Sequence, residues 1–314
     1  QAVSLLNEIE EVKLEPGAIS CSTGISACER SGQWQWALSL LKHMWNLELE
    51  HDVVCCSAGI SACAKGEKWE HALSLFHAMG EARLKPDVFS YGAGISACEK
   101  GLQWQLALML LRRIGESTLE PSLIAHNSAI SACEKGGQWQ QALSLLREMR
   151  EVALEPDIIS FSAGISALDR GEQWQMALSF FREMWEIRLK PNVVSYGAGV
   201  SACANGGKWQ HALALLKTSS EAKLEVNIMC YSAGISACEK CGEWQHALSL
   251  LSEILEARVR LDIIIFGAGI SACEKCLRWQ HALSLLSELW GVRLSPDVFS
   301  YSAGISACEK ARQW

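Results

Sequence analysis

Between Val88 and Ser122 the apolar residues fall into two stripes. Val88, Tyr91, Ile95 and Cys98 stand at i, i+3, i+7 and i+10, and Trp104, Ala107, Leu108, Leu111 and Ile114 at i, i+3, i+4, i+7 and i+10. Each is the spacing of one face of an α-helix. Gly101 punctuates the first stripe as a C-terminal helix stop, and Leu119 with Pro121 closes the second. The pattern predicts a helix A, a short turn, a helix B and a proline-ended loop, with proline recurring there as Pro16, Pro86, Pro156, Pro191 and Pro296.

The same pattern returns along the whole chain. Trp34, Trp69, Trp104, Trp139, Trp174, Trp209, Trp244, Trp279 and Trp314 follow one another at 35 residues without insertion or deletion, and the stretch Ser131 to Trp139 recurs nearly intact as Ser96 to Trp104 and Ser236 to Trp244. A fixed period of this length is the signature of a repeat architecture in which each unit packs on its neighbours. The expected fold is all-α, a superhelical α-solenoid of stacked helical pairs forming one continuous domain. It comprises a partial repeat over 1–17, eight complete units over 18–297 and a partial repeat over 298–314. The chain starts and stops in mid-pattern, without the polar cap that repeat proteins need at each end. It is therefore expected to be a fragment, whose missing start may have held a targeting peptide.

Helix A carries a glycine at its middle, as Gly24, Gly59, Gly94, Gly164, Gly199, Gly234, Gly269 and Gly304, with Ala129 the exception. Such a glycine costs about 1 kcal/mol against alanine, so its repetition predicts close packing at that point. The tryptophan that opens each apolar stripe of helix B is expected in the core, where burying ~150–250 Å² contributes about 4–6 kcal/mol gross. An exposed platform for stacking a base is the alternative.

Hydrophobic residues make up 49% of the chain and charged residues 20%, which excludes disorder. No apolar run reaches the ~18 residues of a membrane span. The net charge of −7 gives no global support for a polyanion partner, but in a solenoid the charge of one face matters more than the sum. Of 14 cysteines, eight (Cys28, Cys63, Cys98, Cys133, Cys203, Cys238, Cys273 and Cys308) share one repeat position, which Leu168 fills in the remaining unit. Stacked helices lie roughly 9–10 Å apart, beyond the about 7 Å that a disulfide spans. These are read as core thiols of a reducing compartment.

The motif Pro86 to Tyr91 (Pro-Asp-Val-Phe-Ser-Tyr) opens a unit, Ala107 and Leu108 begin the helix-B core, and Met149 and Met184 stand near its end in other units. In these residues and in its period the chain resembles the pentatricopeptide repeat family, in the class built purely of 35-residue repeats, from about Ala18 onward. It departs from the family in the mid-helix glycine and in the tryptophan. The resemblance implies a non-enzymatic protein without cofactors that binds single-stranded RNA in a mitochondrion or chloroplast, serving RNA processing, stability or translation. It implies one repeat per nucleotide, the chain running parallel to the RNA, and two residues reading each base.

By that resemblance the reading pairs are Ser22 with Asp52, Ser57 with Asp87 and Ser232 with Asp262 for guanine, Asn127 with Asp157 for uracil, and Ser162 with Asn192 for adenine. Gly197 with Asn227 leans to adenine, Gly267 with Asp297 leans to guanine, and Gly92 with Ser122 is unassigned. The implied site is 5′-GGNUAAGG-3′. Ile19, Val54, Phe89, Ile124, Ile159, Val194, Met229 and Ile264 would sandwich the bases, and Arg30, Lys65, Lys100, Lys135, Arg170, Lys240, Lys275 and Lys310 would contact phosphates. Asp, Asn and Ser just before a helix are also the preferred N-caps, and a cation at a helix end suits the helix dipole. Both plain readings stay open beside the functional ones. The acids next to the cations (Glu29, Glu99, Glu134, Asp169, Glu239, Glu274 and Glu309) point about 100° away along the helix and need not share the groove.

Three further signals are set aside. Cys238 with Cys241 and Cys273 with Cys276 are C-x-x-C pairs loosely like a zinc ribbon, but each uses a repeat-core cysteine, so no metal is assigned. Gly92 to Ala97 imitates a dinucleotide fingerprint but lies inside a repeated helix rather than after a strand. His71, His211, His246 and His281 share a position that also accepts Gln141 and Met176, which reads as surface. The expected partner is single-stranded RNA, with protein partners reached through missing flanks, no membrane and a monomeric chain. The alternative is a solenoid scaffold for proteins without RNA readout.

Overall fold

A computed structural model describes residues 18–46, 52–117, 119–120, 122–222, 228–256, 262–291 and 294–312. Among them are seventeen helices and no strand. The chain divides between Pro156 and Asp157 into two compact units. The first holds α1 (Ala18–Ser31), α2 (Trp34–Asn46), α3 (Val53–Lys65), α4 (Trp69–Glu81), α5 (Val88–Lys100), α6 (Trp104–Glu116), α7 (Leu123–Lys135) and α8 (Trp139–Glu151). The second holds α9 (Ile158–Arg170), α10 (Trp174–Glu186), α11 (Val193–Asn205), α12 (Trp209–Glu221), α13 (Ile228–Cys241), α14 (Trp244–Glu256), α15 (Ile263–Lys275), α16 (Trp279–Gly291) and α17 (Val298–Lys310). Odd-numbered helices are the predicted A helices and even-numbered ones the B helices.

Within each unit an A helix packs on its own B helix and on the next A helix, and the B helix also touches that next A helix. This is the nearest-neighbour stacking of an α-solenoid. The A helices form the shared inner layer, so α3 is buried without a break from Cys55 to Ile60. The mid-helix glycine is what lets the B layer close on it. A Cβ on Gly59 would collide with Leu41 of the preceding B helix, and Gly234 and Gly269 stand in the same relation to Leu216 and Leu251. The glycine is therefore a socket for a leucine side chain, and its cost in helix propensity is offset by that burial. Seven of the eight cysteines at the repeat position are buried core thiols and Cys308 is half-buried; burial pushes the Cys98 thiol up to about 12 and those of Cys63 and Cys133 to about 11.

Two expectations need correction. The tryptophans from Trp34 to Trp279 are half-buried, not core residues. Six of them lie against the next repeat: Trp69 and Trp104 pack on Gly101 and Gly136, Trp34 meets His71 edge-on at 5.2 Å, Trp174 meets His211 at 6.0 Å, Trp209 meets His246 at 4.7 Å and Trp244 meets His281 at 4.9 Å. Lys68, Lys208 and Arg278 place their cationic groups over Trp34, Trp174 and Trp244 at 5.7, 5.0 and 4.9 Å. These rings are occupied by the next repeat, so the histidines read as plain surface are inter-repeat contacts as well. The helix stop is the second correction. Gly101 has an ordinary φ of −79°, while Leu102 after it takes the left-handed conformation at 58° and Gln103 closes the turn on the Cys98 carbonyl at 2.8 Å. Position 101 requires glycine for space, because a Cβ there would collide with Trp69. Gly66, Gly136 and Gly206 clear the same room for Trp34, Trp104 and Trp174.

On the last A helix, α17, Tyr301 and Ile305 are exposed where their counterparts Tyr91, Ile95, Tyr196 and Val200 are buried. No described helix is long and apolar enough to cross a membrane.

Candidate nucleic-acid interface

Because the B helices and neighbouring A helices cover most of each A helix, only a narrow strip of it reaches solvent. On α3 this strip runs from Val54 past Ser57 to Ser61 and Lys65, at i, i+3, i+7 and i+11. The first position carries a large apolar side chain in every repeat. Ile19, Val54, Phe89, Ile124, Ile159, Val194, Met229 and Ile264, all expected to sandwich bases, are exposed, as is Phe299, with fractions between 57% at Phe89 and 82% at Ile19. From α1 to α15 this is the one exposed large apolar side chain that each A helix shows among its described residues, while α17 also exposes Val298, Tyr301 and Ile305. Isolated exposed apolar residues need no explanation, but a recurring column of them marks a contact surface.

Where the residue two places before these is described, from Asp52 onward, it is an N-cap; Gly17 before Ile19 lies outside the described residues. Asp52 accepts from the Cys55 N–H at 2.8 Å, Asp87 from Ser90 at 2.8 Å, Ser122 from Ala125 at 3.2 Å, Asp157 from Ser160 at 2.9 Å, Asn192 from Ser195 at 2.9 Å and Asp297 from Ser300 at 2.8 Å. The capping reading of these positions is thus realised. It uses the Oδ1 atom in each of these Asp and Asn residues. Asp262 alone among the described caps of this column makes no side-chain capping bond, and the residue three places on is Ile265. Asn227 lies outside the described residues.

The other member of each predicted pair sits one helical turn into helix A. Ser57 and Ser162 are nearly enclosed, at 1% and 5% exposure, while Ser22, Asn127 and Ser232 are half-buried. Gly92 leaves open space where a Cβ would stand, Gly197 lies 3.4 Å from the Cys230 sulfur in the same sense, and Gly267 lies beneath Phe299. In two repeats the predicted partners are joined. Ser57 Oγ and Ser90 Oγ lie 2.6 Å apart, and Ser90 Oγ donates to Asp87 Oδ1 at 2.6 Å. Ser162 Oγ and Ser195 Oγ lie 2.8 Å apart, and Ser195 donates to Asn192 Oδ1 at 2.9 Å. In the first repeat the Cys55 thiol occupies that place. Burial and its bond with Asp52 push it up to about 12, and a bond from Ser22 opposes them.

The cations stand at the far end of the strip, and the structure pairs several of them with acids that the sequence pattern placed apart. Lys65, Lys135, Lys275 and Lys310 reach Glu29, Glu99, Glu239 and Glu274 of the preceding repeat at 3.3, 3.0, 3.0 and 2.9 Å. Each glutamate also accepts from a serine, for instance Ser61 to Glu29 at 2.9 Å and Ser306 to Glu274 at 2.6 Å. Burial raises the Glu274 carboxyl, but the bonds from Ser306 and Lys310 and the charges of Lys310 and Lys275 outweigh it and hold it below its usual value. Lys240 bonds Asn205 at 3.0 Å, which in turn donates to Asp169 at 2.9 Å. The residue in the acid's register ahead of Lys100 is Ala64, and Lys100 is exposed, as are Arg30 and Arg170. Helical periodicity could not show these pairs, because they form across repeats at a spacing of one period plus one. The recurrence of an acid column beside a cation column was their only signal.

The bridging serines were not singled out in the sequence. Their signal is an Asp or Asn followed three residues later by Ser, in the manner of a capping box. The C-x-x-C residues do not converge on a metal: Cys238 and Cys273 are buried, and Cys241 and Cys276 donate to the Gly207 and Gly242 carbonyls at 3.4 and 3.0 Å. No cluster of metal-ligating side chains occurs among the described residues.

Stacked helical pairs that repeatedly set an exposed apolar side chain beside an N-capping polar residue define a modular helical-repeat protein. The family model described as a pentatricopeptide repeat domain matches residues 39–100, 109–172, 144–206 and 179–241, and that of the single PPR repeat matches 19–49 and 230–259. The chain belongs to the pentatricopeptide repeat family. Among solved structures it resembles the pentatricopeptide repeat protein PPR10 in complex with an 18-nucleotide psaJ RNA element, at a TM-score of 0.60 and 14% identity over 99% of this chain and 51% of that one. A cysteine-substituted form of PPR10 with the same element gives 0.53 and 19%, over 99% and 49%. The PPR domain of Arabidopsis thaliana protein-only RNase P 1, in complex with tRNA, gives 0.48 and 14%, over 54% and 89%. The chain spans about half the length of the PPR10 chains. No curated protein matches it.

Proposed function

We propose that the chain binds single-stranded RNA in sequence-specific fashion, one repeat per nucleotide, at a site of the form 5′-GGNUAAGG-3′. The observation that carries this reading is the column of exposed apolar side chains, which from Val54 onward stands beside described N-capping Asp, Asn or Ser residues, with a Ser, Asn or Gly one turn away. Unstacked bases offer a flat apolar face and a Watson–Crick edge, and this arrangement supplies a partner for each. The exposed ends of Arg30, Lys100 and Arg170 and the lysines of the ion pairs would follow the backbone. Exposed ion pairs contribute only about 0–1 kcal/mol, so phosphate can take a lysine from its glutamate. The chain has no chemistry of its own in this reading. Its proposed role is to mask or remodel an RNA segment in a mitochondrion or chloroplast, a reading that the family resemblance supports.

A binding assay with GGNUAAGG RNA against a scrambled sequence tests this. Asn192→Asp is expected to move the preference at the fifth base from adenine to guanine by about tenfold, the worth of one mismatched position. Equal affinity for both RNAs would leave the alternative, a scaffold for proteins, for which the net charge of −7 and the cations already neutralised within the chain speak.

A further inference from the structure

We infer that the third residue of the following A helix is a positioning residue of each base reader, fixing which hydrogens and lone pairs the reader presents. The inference rests on the RNA-binding reading above. It follows from counting protons. Ser57 has one hydroxyl proton and two partners that can take it, the Val53 carbonyl at 2.6 Å and Ser90 Oγ at 2.6 Å. The Ser90 proton goes to Asp87 Oδ1 at 2.6 Å, the same oxygen that caps the helix. Both protons are thus spent inside the protein. Ser57 is itself only 1% exposed, so a base that reaches it meets lone pairs alone, beside Asp87 Oδ2. Two acceptors side by side suit an edge with adjacent donors, which among the bases is the N1–H and N2–H edge of guanine.

The Ser162 repeat has the same wiring and a different outcome. Ser162 has the Ile158 carbonyl at 2.6 Å and Ser195 Oγ at 2.8 Å for its proton, and Asn192 Oδ1 receives both the N–H and the O–H of Ser195 at 2.9 Å. Two donors converging on Oδ1 hold the amide with its NH₂ outward. The reader then presents one acceptor and one donor, the complement of the adenine N6–H and N1 edge. The bridging serine is fully enclosed in both repeats and touches no ligand position itself.

The chain contains its own control. Ser232 with Asp262 is the same reader type as Ser57 with Asp87, but Ile265 fills the bridging position and the Asp262 side chain makes no capping bond. Wild-type protein is therefore expected to lose more affinity when the second guanine of GGNUAAGG is changed to adenine than when the seventh is, by about fivefold, the worth of one net hydrogen bond. Ser90→Ala should remove that excess, Ser90→Thr should keep it, and Ile265→Ser should raise the penalty at the seventh base, with thermal melting confirming that each variant is folded. Equal penalties at both bases in a wild-type protein that still prefers GGNUAAGG to a scrambled RNA, or penalties that none of the variants moves, would overturn the inference alone. Absence of any preference in the wild type would overturn the RNA-binding reading with it.

Discussion

The contact between each tryptophan and the following turn yields a prediction whose sign depends on the structure. By backbone propensity, Gly101→Ala should stabilise the protein: φ is −79° there, an ordinary value, and replacing such a glycine contributes about 0.4–1 kcal/mol through the unfolded chain. The packing says otherwise, because the new methyl would overlap the Trp69 ring. Overpacking of this kind costs about 1–3 kcal/mol. The ring can move: where Cys241 and Cys276 replace the glycine, Trp209 and Trp244 lie 4.7 and 4.9 Å from their histidines, against 5.2 Å for Trp34 and 6.0 Å for Trp174, which face glycine. The low end of that range applies, and set against the gain in propensity it leaves a net loss of about 0.5 kcal/mol. In a Trp69→Ala background the clash is gone and the same substitution should stabilise by about 0.5 kcal/mol, a coupling within the usual range for residues in contact. Urea unfolding of the four proteins of this cycle measures it as shifts in midpoint at constant slope. A stabilising Gly101→Ala of equal size in both backgrounds would refute the reasoning.

Three further outcomes are expected. His126 is buried where other repeats carry Tyr91, Phe161 or Tyr196; its Nε2 has no partner, and desolvation holds its pKa below 6.5 although the Ser122 carbonyl and Glu148 favour the charged form. The folded state then binds fewer protons than the unfolded one, so its stability is full above about pH 6.5 and falls as the pH drops below it; thermal melts from pH 7.5 to 5.5 should show the decline, and His126→Phe should flatten it. Lys100 has Ala64 where Lys135 has Glu99, so Lys100→Gln should weaken RNA binding more than Lys135→Gln. If seven or eight phosphates are neutralised, the wild-type slope of log K against log salt should lie near about −5, and titrations at several salt concentrations check both statements.

Much of this protein is legible from its residues in order. The 35-residue period, the two helical stripes and the caps before each A helix are local patterns, and a helix forms wherever such a pattern can bury one face. The cysteines of the core were placed correctly on that basis, whereas the column from Ile19 to Ile264, exposed in the structure, was singled out by the family resemblance. The tertiary structure decided what one repeat does to the next. Trp69 fell on an apolar stripe and so was assigned to its own core, but its ring rests on Gly101, 32 residues away. Glu29 and Lys65 occupy separate columns and meet only because stacking brings the end of one A helix beside the next. Ser57, Ser90 and Asp87 form one hydrogen-bonded chain for the same reason. A periodic sequence specifies its units through short-range burial. The offset between units is set by side chains meeting across the interface, and no periodicity within one repeat encodes that.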